Sequence, residues 1–310
     1  MGSALLQRFF EDGYAVSALL REGNVSLPAG VTPVFADLIA LDELYPHVFD
    51  DVDVVIHTAA RAHIMRDEVD DPLAEYRKIN RDATLVLARL AADAGVKRFV
   101  FISSIKVNGE MTLPSVPFQP VTHQIPSDPY GLSKYEAEQG LLKMAQETGM
   151  EVVIIRPPLV YGPGVKGNFA SMVGWMQKGV PLPLGSVNNH RSLVALDNLV
   201  DFIALCADRE RSPKAANEVF LVSDGEDVST SDLLRKVAQA NGVKSRLWPV
   251  PVALMKFVAK LLGKGAVAGR LFGHLQVDSS KARGVLGWQP VTTMDKQLAK
   301  MAEFDRKSVE

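Results

Sequence analysis

The chain has 310 residues, 47% of them hydrophobic and 23% charged, with a formal net charge of -2. That composition is globular and excludes a disordered chain. The absence of a Lys/Arg run sets aside sequence-independent binding to nucleic acid, which needs a basic face. The one cysteine, Cys206, rules out an intrachain disulfide. It sits in the apolar stretch "DFIALCAD" and reads as a core thiol rather than a nucleophile.

The first element, "MGSALLQRFFEDG", places Leu5, Leu6, Phe9 and Phe10 on one helix face and ends at a glycine. "YAVSALL" follows as a strand, then "TPVFADL" as a second, "LDELYPHVF" as a helix and "VDVVIHTAA" as an apolar strand. The long helix "PLAEYRKINRDATLVLARLAADAGV" leads into the strand "KRFVFISS". The helix "PYGLSKYEAEQGLLKMAQETG" precedes the strand "MEVVIIRPPLV". Wholly apolar strands alternating with helices predict an α/β fold with a doubly wound parallel sheet. After Tyr161 the rhythm loosens into short strands such as "EVFLVS" and helices such as "TSDLLRKVAQANG". A division follows: residues 1–160 form the sheet domain, to which parts of 192–223 return, and 161–310 form a second, smaller region.

No apolar run reaches the ~20 residues of a membrane span. The nearest, "WPVPVALMKFVAKLLGKGAVAG", is broken by Lys256, Lys260 and Lys264, spaced to line one helix face. A half-buried helix with a solvated lysine edge is the expected meaning, and a helix lying on a membrane surface is the alternative. No signal peptide is visible. A cytoplasmic protein is expected.

Chemistry concentrates in "YGLSK". Tyr130 and Lys134, four apart on a helix, point the same way. An ammonium beside a phenol favours the phenolate, and such a tyrosine can exchange a proton with a hydroxyl or ketone. Alone, the spacing describes any surface pair. Here Ser103 and Ser104 close the preceding apolar strand, at the carboxyl end where doubly wound folds place ligands.

With these residues the chain resembles the extended short-chain dehydrogenase/reductases. Within them it is similar to the nucleotide-sugar epimerases, dehydratases and ketoreductases. The resemblance covers the whole chain through "HTAA" (57–60), "KIN" with Asn80, "FISS" (101–104), "YGLSK", "RPPLVYGPG" (156–164) and "VDSSKARGVLGWQP" (277–290). It implies a Rossmann domain with a smaller C-terminal substrate domain. It also implies Tyr130 as acid/base, Lys134 holding the nicotinamide ribose, and Ser104 bonded to the sugar oxygen that changes oxidation state. Ala59, Ala60 and Pro157 would line the cofactor cleft, and Asn80 would be a structural or cofactor-site residue. Asn168 and Arg191 match the residues that hold the substrate diphosphate in relatives. Arg270 is a third candidate, equally readable as a solvated surface arginine.

The family opens with a strand and G-x-x-G-x-x-G. Gly2 aligns with its last glycine, so the resemblance implies that the first strand and two glycines belong ahead of Met1. The expectation is a start placed too far downstream, with a natural pseudoenzyme as rival. Without that strand both neighbouring strands are left with open edges.

Cofactor choice is read after the second strand of the family fold. Arg21 stands there instead of an acidic residue, favouring NADP over NAD, and it is equally readable as a solvated loop residue. Asp37 and Leu38 would meet the adenine. Dehydratases of the family carry Asp-Glu after the catalytic Ser/Thr. Ile105 and Lys106 stand there instead, which disfavours dehydration. A 4-ketoreductase of surface-polysaccharide sugars and a 4-epimerase of UDP-sugars remain. Arg21, Lys106 and the stretch "SSIKVNGE" tilt the reading toward the reductase. A non-catalytic NAD(P)-binding sensor is a further alternative, and a steroid- or flavonoid-type reductase is disfavoured by Asn168 and Arg191. The expected partner is a nucleoside-diphosphate sugar, with a second copy of the chain as an option. No metal is expected.

Overall fold

The structure, a computed structural model, describes residues 1–21, 23, 27–41, 46–62, 70–121, 124–165, 167–263 and 265–307. The chain opens with helix α1 (Gly2–Glu11) and strand β1 (Ser17–Leu20), which pairs in parallel with β2 (Thr32–Phe35). A separate four-stranded parallel sheet runs β3 (Val54–His57), β4 (Arg98–Ile102), β5 (Glu151–Arg156), β8 (Glu218–Leu221). A third sheet joins β6 (Leu159–Tyr161), β7 (Arg191–Ala195) and β9 (Asp227–Val228), the last pair antiparallel.

The predicted alternation is visible in the packing. Val100, Ile102, Val153, Ile155 and Phe220 point to one face of the main sheet. They meet Leu5 of α1, Phe202 and Ile203 of α6 (Leu196–Ala207), and Trp288 beyond α10 (Ser280–Leu286). Phe99, Phe101, Val152 and Ile154 point to the other face. There they meet Leu87 and Ala91 of α3 (Ala83–Asp93) and Ala137, Leu141 and Met144 of α4 (Pro129–Thr148). Helices cover both faces, so the sheet is doubly wound. Cys206 lies in the first of these layers, fully buried, with its thiol pushed up by desolvation.

A second core gathers Tyr161, Phe169, Leu193, Leu234, Phe272, Leu298 and Met301. It is built by α5 (Asn168–Gln177), α7 (Thr230–Ala240), α9 (Gly265–Phe272) and α11 (Met294–Lys307) around the third sheet. Residues 280–288, besides 192–223, pack back on the main sheet.

Several expectations are refined. The strand expected over 150–160 breaks at Pro157–Pro158 and supplies two different sheets, because proline gives the ladder no N–H. Of "LDELYPHVF", Pro46–Phe49 forms a 3-10 turn, and residues 42–45 lie outside the described residues. β3, read as a fully apolar buried strand, is half-buried at Val54, Val55 and Ile56. It has a ladder partner on one side only among the described residues, and no ladder joins it to β1.

Helix α8 (Val252–Leu261) packs on the second core through Val252, Met255 and Ala259, as a half-buried helix should. Its outer face differs from expectation. Leu254, Phe257, Val258 and Leu261 are exposed there, with Lys256 and Lys260 along one flank. Lys264 lies outside the described residues. Among the described residues no helix is long and apolar enough to cross a membrane.

Candidate active site

The site is assembled where the carboxyl end of β4 meets the start of α4. Asp128 caps that helix by accepting a hydrogen bond from the Gly131 amide at 2.8 Å, and Pro129 sits in its first turn. Gly131 permits the close approach. A Cβ there would lie 2.7 Å from the carbonyl oxygen of Lys106, in the 3-10 turn Ile105–Val107 that follows β4. The amide of Ile105 donates to the carbonyl of Pro157 at 3.0 Å, tying this turn to the buried end of β5.

The approach sets the Tyr130 phenol against the Ser104 hydroxyl. Tyr130 is half-buried, and desolvation pushes its phenol up to about 12. The Ser104 hydrogen bond opposes that rise, while Asp128 and Tyr76 add to it. The Tyr76 ring meets that of Tyr130 edge-on at 5.9 Å, and the Lys106 ammonium stands 5.8 Å from the ring centre.

Lys134 is 1% exposed. Its ammonium donates to the Ile102 carbonyl at 2.9 Å and lies 4.3 Å over the Phe101 ring. Desolvation pulls it down to about 7, partly offset by Glu138 one turn further on. In the chain alone burial dominates at both groups, raising the tyrosine and lowering the lysine.

Tyr130, Lys134 and Glu138 continue one helix face at intervals of four. Glu138 is buried and forms a two-point ion pair with Arg156 (2.5 and 2.9 Å), and it accepts from the Ser103 hydroxyl at 2.5 Å. Arg156 also donates to Asn108 and to the Pro120 carbonyl. The i+8 spacing on that helix was the signal that could have revealed Glu138.

Asn80 lies in a π-turn, Lys78–Asp82, between α2 (Pro72–Arg77) and α3. The extra residue turns its side chain into the core, where it accepts from the Arg61 amide at 2.8 Å and donates to the Arg61 carbonyl and the Ser133 hydroxyl. Ser133 in turn bonds the Tyr130 carbonyl. Asn80 therefore pins the segment after β3 to the tyrosine helix. Ala59 and Ala60, in that segment, are exposed at the mouth of the site. His57, just before them, is held neutral by burial and by Lys134, down to about 3, and hydrogen-bonds Thr84. Gly2 begins α1 beside Thr58.

The remaining candidates scatter. Arg21 follows β1 and is exposed. Asp37 is exposed and accepts from the Ile39 amide, and Leu38 packs on the sheet's second layer. The backbone of Asn168 begins α5, and nothing is described of its side chain. Arg191 is turned to the end of α9, donating at 2.6 Å to the Arg270 carbonyl. Arg270 is exposed and paired with Glu110 at 3.1 Å. Arg270 and Glu110, with Lys106 and Asp128, line a cavity of about 300 Å³ beside Tyr130. Lys106 bridges the two carboxylates, 3.1 Å from Asp128 and 3.4 Å from Glu110. Among the described residues no cluster suits a metal ion.

Residues 1–222 match the profile of the NAD dependent epimerase/dehydratase family. A Vibrio cholerae protein named UDP-glucose 4-epimerase is 52% identical over 251 residues, 81% of this chain and 76% of that protein. Two solved structures share the fold. One is the Thermotoga maritima UDP-glucose 4-epimerase with UDP-glucose, at TM-score 0.75 and 24% identity, covering 100% of this chain and 96% of that one. The other is the Thermus thermophilus UDP-glucose 4-epimerase with NAD, at TM-score 0.77 and 21% identity, covering 98% and 95%. By its profile match and by the Vibrio relative, this chain belongs to the NAD dependent epimerase/dehydratase family.

Proposed function

We propose that the chain is an NAD-dependent 4-epimerase of a UDP-sugar, working through Tyr130, Ser104 and Lys134. The observation that carries the reading is the close packing of the start of α4 on the turn after β4, which brings Tyr130 to the Ser104 end of that strand, with Lys134 buried one turn below. The name of the Vibrio cholerae relative supports an epimerase over a ketoreductase. The reductive reading leaned on Lys106 and Arg21. Lys106 is engaged by Asp128 and Glu110, which weakens that lean.

The residues suit the nicotinamide end of the cofactor. An ammonium has three hydrogens, and the Ile102 carbonyl takes one of them from Lys134, leaving donors for ribose hydroxyls. Ala59, Ala60 and Pro157 would flank the ring, and Gly2, Asp37 and Leu38 would meet the pyrophosphate and adenosine. NAD supplies a reversible hydride acceptor when bound. As the C4–H bond of the sugar breaks, Tyr130 takes the proton from the C4 hydroxyl, and Ser104 donates to the same oxygen. The 4-keto sugar turns over, and Tyr130 returns the proton as the C–H bond re-forms on the opposite face. A phenol near 12 is a donor at neutral pH. To act as a base it must come down, and Lys134 and Lys106 are the cations placed to bring it down. Arg191, Arg270 and Asn168 would hold the diphosphate near the cavity.

A 4-ketoreductase uses only the donating half of this cycle, and the raised Tyr130 suits it, so it stands as the second reading. The division at residue 160 and cytoplasmic residence belong to the same proposal, and NADP preference through Arg21 belongs with the reductase reading. The test is product analysis with NAD and UDP-glucose or UDP-galactose. Redox-neutral interconversion supports the epimerase. Stoichiometric consumption of NAD(P)H on a 4-keto sugar selects the reductase, and cofactor binding without turnover selects the sensor.

A further inference from the structure

Residues 233–277 contain eight Lys and Arg and no Asp or Glu, in a chain of net charge -2. Helix α8 lies at the centre of this stretch. Its inner residues Val252, Met255 and Ala259 are anchored on the second core, so the helix is held in place while its outer face is uncovered. On that face Phe257 is 60% exposed and Leu261 71%, with Leu254 alongside and Trp248 at 65% just before the helix. Exposed apolar side chains occur singly on any protein, but a contiguous stripe on one helix marks an interaction face. Lys256 and Lys260 are exposed along its flank, and neither forms an ion pair among the described residues.

The charge pattern selects the occupant. Two copies meeting symmetrically through this face would set two basic surfaces against each other. An anionic lipid surface is complementary in both respects: acyl chains for the apolar stripe, phosphates for the lysines, and the headgroup boundary for an exposed tryptophan. We propose that α8 and Trp248 seat the protein on an anionic membrane surface, with Leu254, Phe257 and Leu261 entering the acyl boundary and Lys256 and Lys260 meeting lipid phosphates. The helix lies on the surface and does not span it. α9, which packs against α8, carries Arg270 to the cavity beside Tyr130, so the seated face is one helix from the candidate site. The inference does not depend on which reaction the site performs.

The test is co-sedimentation of the full chain with phosphatidylcholine vesicles, with and without phosphatidylglycerol, at low and high salt. The expected result is salt-sensitive binding to the anionic vesicles, with a blue shift of emission that Trp248→Phe removes. The variant Lys256→Gln/Lys260→Gln should lower the partition about 25-fold, roughly fivefold per lysine near an anionic surface. Leu254→Ser/Phe257→Ser/Leu261→Ser should abolish it. These side chains are exposed, so an unchanged melting curve and unchanged activity on free substrate are expected for both variants. Failure of the wild-type chain to sediment would overturn the inference, as would binding that neither variant weakens. A dimer that dissociates in the serine variant, without vesicle binding, would assign the face to a second copy instead.

Discussion

Replacing Lys134 by methionine should stabilise the chain while removing a group its proposed chemistry needs. Lys134 is buried, and its ammonium is pulled from 10.5 to about 7 by desolvation. Its folded value lies below its unfolded one, so between the two the unfolded chain binds more protons and stability rises with pH. Below about pH 7 both states are charged and this group adds no pH dependence. Evaluated for one site with these two values, wild type gains on the order of 2 kcal/mol from this lysine between pH 7 and pH 9. Methionine keeps most of the volume and does not titrate, so the variant should lack that gain. The assay is urea unfolding of both proteins at the two pH values. The difference between the proteins isolates Lys134 from every other titrating group. At pH 7 the variant should be more stable by a few kcal/mol, and at pH 9 its advantage should shrink by about 2 kcal/mol. Equal pH dependence in the two proteins would refute the reasoning, since it would mean that the native chain keeps Lys134 charged.

Glu138→Gln leaves the Arg156 guanidinium buried without its counter-charge and should cost about 3–5 kcal/mol, read as a fall in melting temperature. Glu138→Gln/Arg156→Met should recover part of that loss, and no recovery would show that the pair is not the cause. Ser104→Ala removes one hydrogen bond and should reduce turnover by up to about tenfold, measured by steady-state kinetics with little change in cofactor affinity. Arg21→Asp should move preference from NADP toward NAD in a titration of both, and an unchanged ratio would return Arg21 to a solvated loop.

The alternation of apolar strands and helices carried the doubly wound sheet, and "YGLSK" after "FISS" carried the site. These are local patterns with fixed periods, which a sequence displays directly. Distances and electrostatics are not displayed in that way. Nothing in the Tyr-x-x-x-Lys spacing reveals that Lys134 turns to the Ile102 carbonyl and loses charge through burial. Arg191 bonds backbone carbonyls at the end of α9, and backbone acceptors have no residue signature. Asn80 depends on a π-turn, an insertion that helical periodicity does not announce. The break at Pro157–Pro158 was readable from the prolines, yet the apolar run on both sides concealed it. Apolar residues surround α8 on nearly every side, so the pattern alone did not say which of them face outward.

The central claim is that Tyr130 moves the proton at the sugar oxygen, and the most direct measurement is turnover of Tyr130→Phe on a UDP-sugar beside its binding. Phenylalanine keeps the ring that packs edge-on against Tyr76 and removes the phenolic proton. General acid–base catalysis contributes about 10²–10⁴-fold, so kcat should fall by that factor while the sugar nucleotide binds nearly as before. Near wild-type turnover in Tyr130→Phe would contradict the account.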